Sequence, residues 1–292
     1  MSVLVVGDVI TDIIAIPEGP IVRGSDRRAK IRSRPGGSAA NLAVWLGSLG
    51  VDVRFAARVA AADVEGWSAY FRSRRVTPIL AADPDLPSGV LISIVDVDGE
   101  RSFLTDRGAN LNLNAQDLPA AILDGVSVLA VSGYSYFADT PRDTVMGLVK
   151  AARERRIRTI VDPASVGFLQ EVGAETFLRW TQGTGAIFAN IDEALELTGS
   201  SDPNLQMQTL GRFYDTVVLK RGAAGAALGG RKGVTVSLPA PVRHVVDSTG
   251  AGDAFAAAFI ATELAGGTAE ACLRAGIEAG AKAVGSIGGQ PD

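Results

Sequence analysis

Cysteine and histidine are nearly absent from this chain. Its 292 residues include one cysteine, Cys272, and one histidine, His244. A single cysteine excludes an intramolecular disulfide, and a chain of this length buries a sizeable core without one. Zinc sites built on several histidines are excluded too, so His244 is interpreted as a polar residue on a strand. Such cysteine usage is typical of a reducing compartment, and we expect a cytoplasmic protein.

Blocks of charge and long apolar runs are scarce as well. The formal net charge is −4, and the longest basic cluster, residues 153–158, fits the solvated end of a helix. We therefore expect no nucleic-acid partner. No apolar run approaches the ~20 residues that a membrane span needs, and the start of the chain lacks the basic region of a signal peptide. A membrane partner is not expected either.

Short valine-rich runs alternate with helical patterns along most of the chain. The first run is Val3–Val6, and similar runs follow at 126–131, 159–161, 186–189 and 216–219. Short apolar runs of this kind are typical of strands buried on both faces. Their alternation with helical patterns predicts an α/β fold, with a mostly parallel central sheet and helices on both faces.

Two stretches interrupt this alternation. One, at about residues 13–35, is rich in proline and glycine, and the other, at about 88–106, has a hairpin pattern around Asp98-Gly99. We interpret them as a small antiparallel β lid on one domain that covers residues 1–292. Ordinary surface hairpins are the alternative. The open strand edge of such a lid predicts a homodimer formed through it.

The most informative segment is the run DSTGAGD at residues 247–253. It lies between the strand-like residues 242–246 and a helical pattern that begins at 254. A glycine-bearing loop that enters a helix presents backbone N–H groups to an anion. Asp253 then falls in the first helical turn, where a carboxylate suits a base that takes a proton from an attacking hydroxyl. Alternatively, Asp253 only stabilises the helix dipole.

Other nucleotide-binding motifs are missing. The sequence contains no G-x-x-x-x-G-K-[ST] run, which excludes a P-loop enzyme. The pair Gly250 and Gly252 lacks the third glycine of a dinucleotide fingerprint and lies far from the first strand, which disfavours a Rossmann oxidoreductase.

Three further motifs accompany the loop at 247–253. They are Gly7-Asp8 followed by Asp12, the run GGSAANLA at 36–43, and Asn190-Ile191-Asp192-Glu193. In this order, from residue 3 to about 288, the set resembles the ribokinase (PfkB-type) family of sugar and nucleoside kinases. Ala60 stands where the family usually has glycine, and Ser38 stands where ribose-type members usually carry lysine.

The resemblance implies a ribokinase-like fold and an ATP-dependent kinase. Asp253 would be the base, and the γ-phosphoryl group would pass directly to a hydroxymethyl group of a sugar or sugar-like molecule. The backbone N–H groups of Gly250, Ala251 and Gly252 would form the anion hole.

The resemblance also implies where the acceptor would bind. Asp12, Gly37 and Asn41 would bind its hydroxyl groups, a task for which carboxylate and amide side chains are suited. Asn110, in a Gly-Ala-Asn run after the second lid segment, would contact the sugar from the lid side. The alternative for Asn110 is an ordinary turn residue.

For the nucleotide, the resemblance implies Mg²⁺ organised through water by Asn190 and Glu193. The same two residues fit a helix capping box, and both readings can hold at once. The nucleotide site would further include Lys220, for which a surface salt bridge is the alternative, and the glycines at its rim, Gly222, Gly225 and Gly285. The region 285–289 would close over the adenine.

Two further implications concern ions and the acceptor. Asp247 and Thr249 lie where members of the family often hold a monovalent cation, which would be K⁺. Tyr134 follows a central strand where ribose-type members tend to carry glutamate, and a tyrosine there can stack on the ring of a nucleoside. A nucleoside kinase is therefore the main alternative to a sugar kinase.

Two other functions are alternatives. An acidic sugar would need a basic partner in or beside the lid, and the candidates are Arg23, Arg28, Arg32, Arg34 and Arg107. A non-catalytic relative that only binds sugar or nucleotide is disfavoured, because Asp253 and the glycines beside it are intact.

Overall fold

The computed structural model describes residues 1–95 and 101–291, which form two sheets and the helices around them. The strands are β1 (Ser2–Val6), β2 (Ile10–Pro17), β3 (Ala29–Gly36), β4 (Asp52–Ala60), β5 (Val76–Asp83), β6 (Gly89–Val95), β7 (Arg101–Asp106), β8 (Val126–Ser132), β9 (Arg158–Asp162), β10 (Ala186–Asn190), β11 (Thr216–Lys220), β12 (Ala226–Gly230) and β13 (Gly233–Leu238). The helices are α1 (Ser38–Ser48), α2 (Val64–Ser73), α3 (Asp139–Glu154), α4 (Val166–Val172), α5 (Ala174–Trp180), α6 (Ile191–Thr198), α7 (Pro203–Leu210), α8 (Ala251–Leu264) and α9 (Ala269–Ala283).

The large sheet confirms the predicted fold class. Its nine strands run in the order β13-β12-β11-β10-β9-β8-β1-β4-β5. The pairings from β11 to β5 are parallel, whereas β12 and β13 add an antiparallel edge. Strand β1 lies in the interior of this sheet, which explains why the run at 3–6 is apolar throughout.

Side chains of β1 alternate between two cores, one on each face of the sheet. Val3 and Val5 join the core formed with α1, α8 and α9. Leu4 and Val6 join the core formed with α3 to α7. Helices therefore cover both faces, as predicted. Within residues 1–95 and 101–291, no helix combines the length and the hydrophobicity that crossing a bilayer requires.

The predicted lid is present as a separate four-stranded sheet, in the order β3-β2-β6-β7, which we call the lid sheet. Two of its pairings are antiparallel, but β2 and β6 run parallel at its centre. They are parallel because the chain passes through α1, β4, α2 and β5 before it returns as β6, and such a crossover connection permits parallel pairing. The predicted turn at Asp98-Gly99 lies outside the described residues.

The strand predicted at 242–246 was wrong, and so was the placement of His244 on a strand. Residues 239–248 are irregular. Val242 is 99% exposed, so its β-branched side chain does not pack on a sheet, and Pro239 and Pro241 lack backbone N–H donors for a strand pairing. Conversely, β4 was missing from the predicted strands, because Arg54 and Arg58 interrupt its apolar pattern.

Candidate active site

Four polar side chains stand at the carboxyl ends of adjacent strands, which is where open α/β sheets bind ligands. Ser132 of β8 pairs in register with Asp162 of β9, and Asn190 of β10 pairs with Lys220 of β11. Ser132 and Asp162 line a small cavity together with Ser38 and Asp253, which the amino-terminal turns of α1 and α8 supply. The predicted residues Asn190, Lys220 and Asp253 therefore lie in one region.

The loop before α8 requires glycine at position 250. Gly250 is the N-cap residue, with φ of 72°, and a β-carbon there would overlap the backbone of Gly289. Helix α8 begins at Ala251, so Asp253 lies in its first turn, as predicted. A β-carbon at Gly252 would lie 3.1 Å from Lys220 Nζ, so the lysine ammonium approaches the same turn. The loop can thus offer N–H groups, a helix N-terminus and a cation to one anion.

The Asp253 carboxylate is held by two donors from α1. Ser38 Oγ donates to Oδ1 at 2.7 Å, and Asn41 Nδ2 donates to Oδ2 at 3.0 Å. Burial, followed by the nearby charge of Asp162, raises the pKa of Asp253 to about 7, against the effect of these hydrogen bonds and of Lys220. A carboxylate with a pKa near 7 can accept a proton at neutral pH, which suits a general base.

A charge cluster lies beside Asp253 at the ends of β9 and β11. Lys220 Nζ forms an ion pair with Asp162 Oδ2. Burial opposes the charge of Lys220, but Asp162 and Glu193 outweigh it and raise the pKa of the lysine. Burial and the charge of Asp162 raise the pKa of Glu193 to about 7, against the effect of Lys220. No motif in the sequence had identified Asp162.

Asn190 and Glu193 form the capping box of α6, which is one of the two predicted readings. Asn190 Oδ1 accepts from the backbone N–H of Asp192 and of Glu193, and Glu193 Oε2 accepts from Asn190 N at 2.8 Å. Among the described residues, no three His, Cys, Asp or Glu side chains cluster as a metal site. A second oxygen of Glu193 and the neighbouring Asp162 still supply the hard oxygen atoms that suit Mg²⁺.

The predicted acceptor residues differ in the contacts they make. Burial, together with the charge of Asp247, raises the pKa of Asp12 to about 6. Gly37 directly precedes α1, from which Asn41 reaches Asp253. Asn110 is buried, and its amide accepts from Val9 N and donates to the carbonyl oxygens of Val9 and Arg107.

Arg107 is also fully engaged. Its guanidinium donates to both carboxylate oxygens of Asp8, at 2.7 and 3.0 Å, and both side chains are buried. This pair and Asn110 fix the base of the lid sheet against the end of β1. Arg107 is therefore committed to a structural ion pair in this conformation.

The two predicted rim glycines near Lys220 lie in a tight turn after β11. Gly222 opens a 3-10 turn, and Gly225 has φ of 88°. A β-carbon at Gly225 would overlap the carbonyl oxygen of Leu238. The turn therefore needs glycine for close backbone packing, and its place at the end of β11 is compatible with a nucleotide rim.

The segment that follows α9 lies against the loop at 247–250. Gly285 follows the end of α9, and Gly288 N donates to Asp247 Oδ2 at 2.9 Å. Asp247 Oδ1 accepts from Thr249 N at 2.8 Å, so the predicted cation residues adjoin each other. Trp45 Nε1 donates to Gly289 O at 3.0 Å. The predicted closure of region 285–289 over adenine stays a prediction, and in this structure the region packs on α1 and the loop.

Comparison with known families decides the assignment of the fold. The model of the pfkB family of carbohydrate kinases matches residues 1–292. This chain belongs to the pfkB family. Its α/β fold with a separate small sheet is thus that of a sugar or nucleoside kinase family.

The proteins similar to this pfkB-family chain carry different names. The bifunctional protein HldE of Shewanella baltica strain OS155 is 29% identical over 304 residues, which cover 98% of this chain and 60% of HldE. The chain therefore spans about 60% of the length of that curated relative. The adenosine kinase of Sinorhizobium meliloti is 24% identical with a TM-score of 0.86, covering 99% of this chain and 95% of that one.

A ribokinase structure gives a similar result. The ribokinase of Thermotoga maritima is 22% identical with a TM-score of 0.83, over 99% of this chain and 95% of that one. Structural similarity at this identity shows the shared fold. Proteins named as sugar kinases and proteins named as nucleoside kinases both have this fold. The acceptor of this pfkB-family member must be inferred from its own site.

Replacing Gly250 with Ala is expected to destabilise the protein by roughly 3 kcal/mol or more, because a positive φ and an overlap with Gly289 add together. Gly266→Ala is the matched control. Gly266 has φ of +81° but nothing within 4 Å of its β-carbon position, so we expect a loss of roughly 1–2 kcal/mol. Urea unfolding of both variants measures the difference, and equal losses would show that the approach of Gly289 is unimportant.

Proposed function

We propose that this protein transfers the γ-phosphoryl group of ATP to a hydroxymethyl group of a sugar or sugar-like molecule. The observation that carries this proposal is the placement of Asp253 in the first turn of α8. There, Ser38 and Asn41 hold its carboxylate, and burial raises its pKa to about 7. Asp253 takes the proton of the acceptor hydroxyl as the oxygen attacks phosphorus.

The phosphoryl group is stabilised where α8 begins. The backbone N–H groups of Gly250, Ala251 and Gly252 form the anion hole, and Lys220 adds a positive charge beside Gly252. Gly222, Gly225 and Gly285 complete the nucleotide rim.

Ions assist the nucleotide. Asn190 and Glu193 would hold Mg²⁺ through water, and the ion would neutralise charge on the phosphates. Asp247 and Thr249 are the residues for K⁺ beside the anion hole. The contact between Asp247 and Gly288 supports this only by bringing the backbone of the segment after α9 to the same place.

The acceptor lies between the lid sheet and α1. Asp12 projects from β2 on the same face of the lid sheet as Arg34, its cross-strand partner, and Arg34 Nη1 reaches the carbonyl oxygen of Ile287. This face of the lid sheet is therefore turned toward the site. Asp12, Gly37 and Asn41 bind acceptor hydroxyls there, and Asn110 stays a candidate that would first have to release Val9.

A nucleoside acceptor is the second candidate, and an aromatic pair favours it. Tyr134 packs edge-on against Phe168, with ring centroids 5.9 Å apart. Burial, followed by the charges of Asp8 and Asp253, raises the pKa of Tyr134 to about 12. A half-buried aromatic wall close to the base suits the planar ring of a nucleoside.

The whole chain acts as one α/β domain whose lid sheet closes over the acceptor, and we propose that it works in the cytoplasm. Closure excludes water from the transferring phosphoryl group, which limits hydrolysis of ATP.

The lid sheet is also the proposed homodimer contact. Its second face carries two cross-strand rows that are almost wholly apolar. They are Ile31–Ala15–Ile94–Ser102 and Ser33–Ile13–Ile92–Leu104. Ile31 is 66% exposed and Leu104 is 60% exposed in the single chain, a pattern typical of a covered interface.

Asp253→Asn is expected to lower turnover by about 10²–10⁴-fold, because an amide cannot take the proton of the acceptor hydroxyl. Release of ADP from Mg-ATP is measured across pentoses, hexoses, acidic sugars and nucleosides, with nucleotide binding by each protein as the control. A variant with unchanged turnover would refute the assignment of the base.

The same panel separates the candidate functions. Activity on sugars supports the main proposal, and activity confined to nucleosides supports the second candidate. A wild-type protein that binds ATP but phosphorylates nothing in the panel would favour a non-catalytic relative.

Leu104→Lys is expected to convert the dimer to monomer, because it would bury an unpaired ammonium between two apolar faces. Phe103→Lys is the control, since Phe103 is 56% exposed but lies on the opposite face of β7. Sedimentation velocity at several concentrations measures both variants beside the wild type. A wild type that is monomeric at every concentration would contradict the proposed interface.

A further inference from the structure

Ser38 is the first residue of α1, and its hydroxyl is directed at the reactive carboxylate. The backbone before it is tightly constrained, because Gly37 has φ of 94° and a β-carbon there would lie 2.5 Å from the carbonyl oxygen of Asp8. This close approach fixes the point at which Ser38 leaves the loop. Its Oγ then donates to Asp253 Oδ1 at 2.7 Å.

Asn41 makes the matching contact one turn later. Residues three positions apart share one face of a helix, so Ser38 and Asn41 both face α8. Asn41 Nδ2 donates to Asp253 Oδ2 at 3.0 Å. Each carboxylate oxygen thus accepts from one of the two side chains. Two hydrogen bonds from a single rigid helix fix the plane of the carboxylate as well as its position.

The charges that face Asp253 come from the ends of the central strands. Asp162 of β9 repels the charged carboxylate, and Lys220 of β11 attracts it. Tyr134, after β8, lies close enough that its own ionisation is opposed by Asp253. Against burial and Asp162, the hydrogen bonds from Ser38 and Asn41 favour the charged form, as donors to a carboxylate do.

We propose that Ser38 is a positioning residue of the phosphoryl transfer, whose hydroxyl orients the Asp253 carboxylate and stabilises its charged form. The role in the reaction rests on the function proposed above, whereas the hydrogen bond to Asp253 does not. Ser38 affects the reaction by way of the Asp253 carboxylate.

The first test needs no substrate. In Ser38→Ala, the pKa of Asp253 is expected to rise by about one unit, because a hydrogen bond to the charged form is lost. The titration is followed by ¹³C NMR of the side-chain carboxyl carbon in the full chain, with the signal assigned by its loss in Asp253→Asn. Ser38→Thr keeps a hydroxyl and is expected to titrate like the wild type.

Ser48→Ala provides the matched control. Ser48 is the last residue of the same helix, and its Oγ donates to the carbonyl oxygen of Trp45 at 2.7 Å. The variant removes the same hydroxyl group from α1 without touching Asp253. Its Asp253 titration is expected to match that of the wild type.

The second test uses the acceptor identified in the panel. A base with a raised pKa is protonated over a wider range at low pH, so the acid limb of kcat/KM in Ser38→Ala is expected to move toward higher pH. At acidic pH the loss is about ten-fold for a shift of one unit, and in alkaline solution most of the activity returns. A side chain that only supported the fold would reduce activity at every pH alike.

The outcomes separate this proposal from the proposed function. An unchanged Asp253 titration in Ser38→Ala overturns it, whether or not the chain phosphorylates anything. A shifted titration with an unshifted acid limb also overturns it, since the hydrogen bond then plays no part in the reaction. Failure of the wild type on every acceptor counts against the proposed function, and the titration still decides whether Ser38 stabilises the charge.

Discussion

The site is arranged around one half-buried carboxylate, which lies where two helices begin. Asp253 lies in the first turn of α8 and is contacted from the first turn of α1. Helix N-termini favour negative charge, and the donors of Ser38 and Asn41 add to that effect. Burial and Asp162 act in the opposite direction. The balance leaves the pKa of Asp253 at about 7, so the group is able both to accept a proton and to release it.

Backbone contacts also connect the lid sheet to the loop at 247–250. The segment at 287–291 contacts both, because Arg34 donates to Ile287 O, Gly288 N donates to Asp247, and the backbone of Gly289 abuts Gly250. Gly289 leaves no room for a side chain, since a β-carbon there would overlap the Asn41 amide. These contacts link β3, through the segment at 287–291, to the loop and the helix that hold the base.

The fold was largely predictable because it depends on local patterns. The valine-rich runs and the helical periods predicted the alternation of strands and helices, and the glycine loop predicted that Asp253 lies in the first turn of α8. The position of Asn190 and Glu193 in a capping box also followed from their spacing. Strand β4 was not predicted, because Arg54 and Arg58 interrupt its apolar pattern.

The site was less predictable because it depends on the order of the strands. Asp162 directly follows a predicted strand, but its meeting with Lys220 requires β9, β10 and β11 to be neighbours. Ser38 lies in a recognised motif, yet its partner is 215 positions away. Asn110 shows the opposite case, in which a motif suggests a ligand contact and the structure uses the amide to hold the backbone of Val9.

The charges of the site argue for a cation beside the phosphates. Three carboxylates, those of Asp162, Glu193 and Asp253, influence the single ammonium of Lys220. A phosphate chain brought to this place adds further negative charge, which Lys220 and the N-terminus of α8 offset only in part. A divalent cation near Glu193 would remove the excess and would also lower the pKa of that carboxyl, which burial now holds at about 7. The raised pKa of Glu193, which burial and Asp162 cause, supports the proposal that a cation arrives there together with the nucleotide.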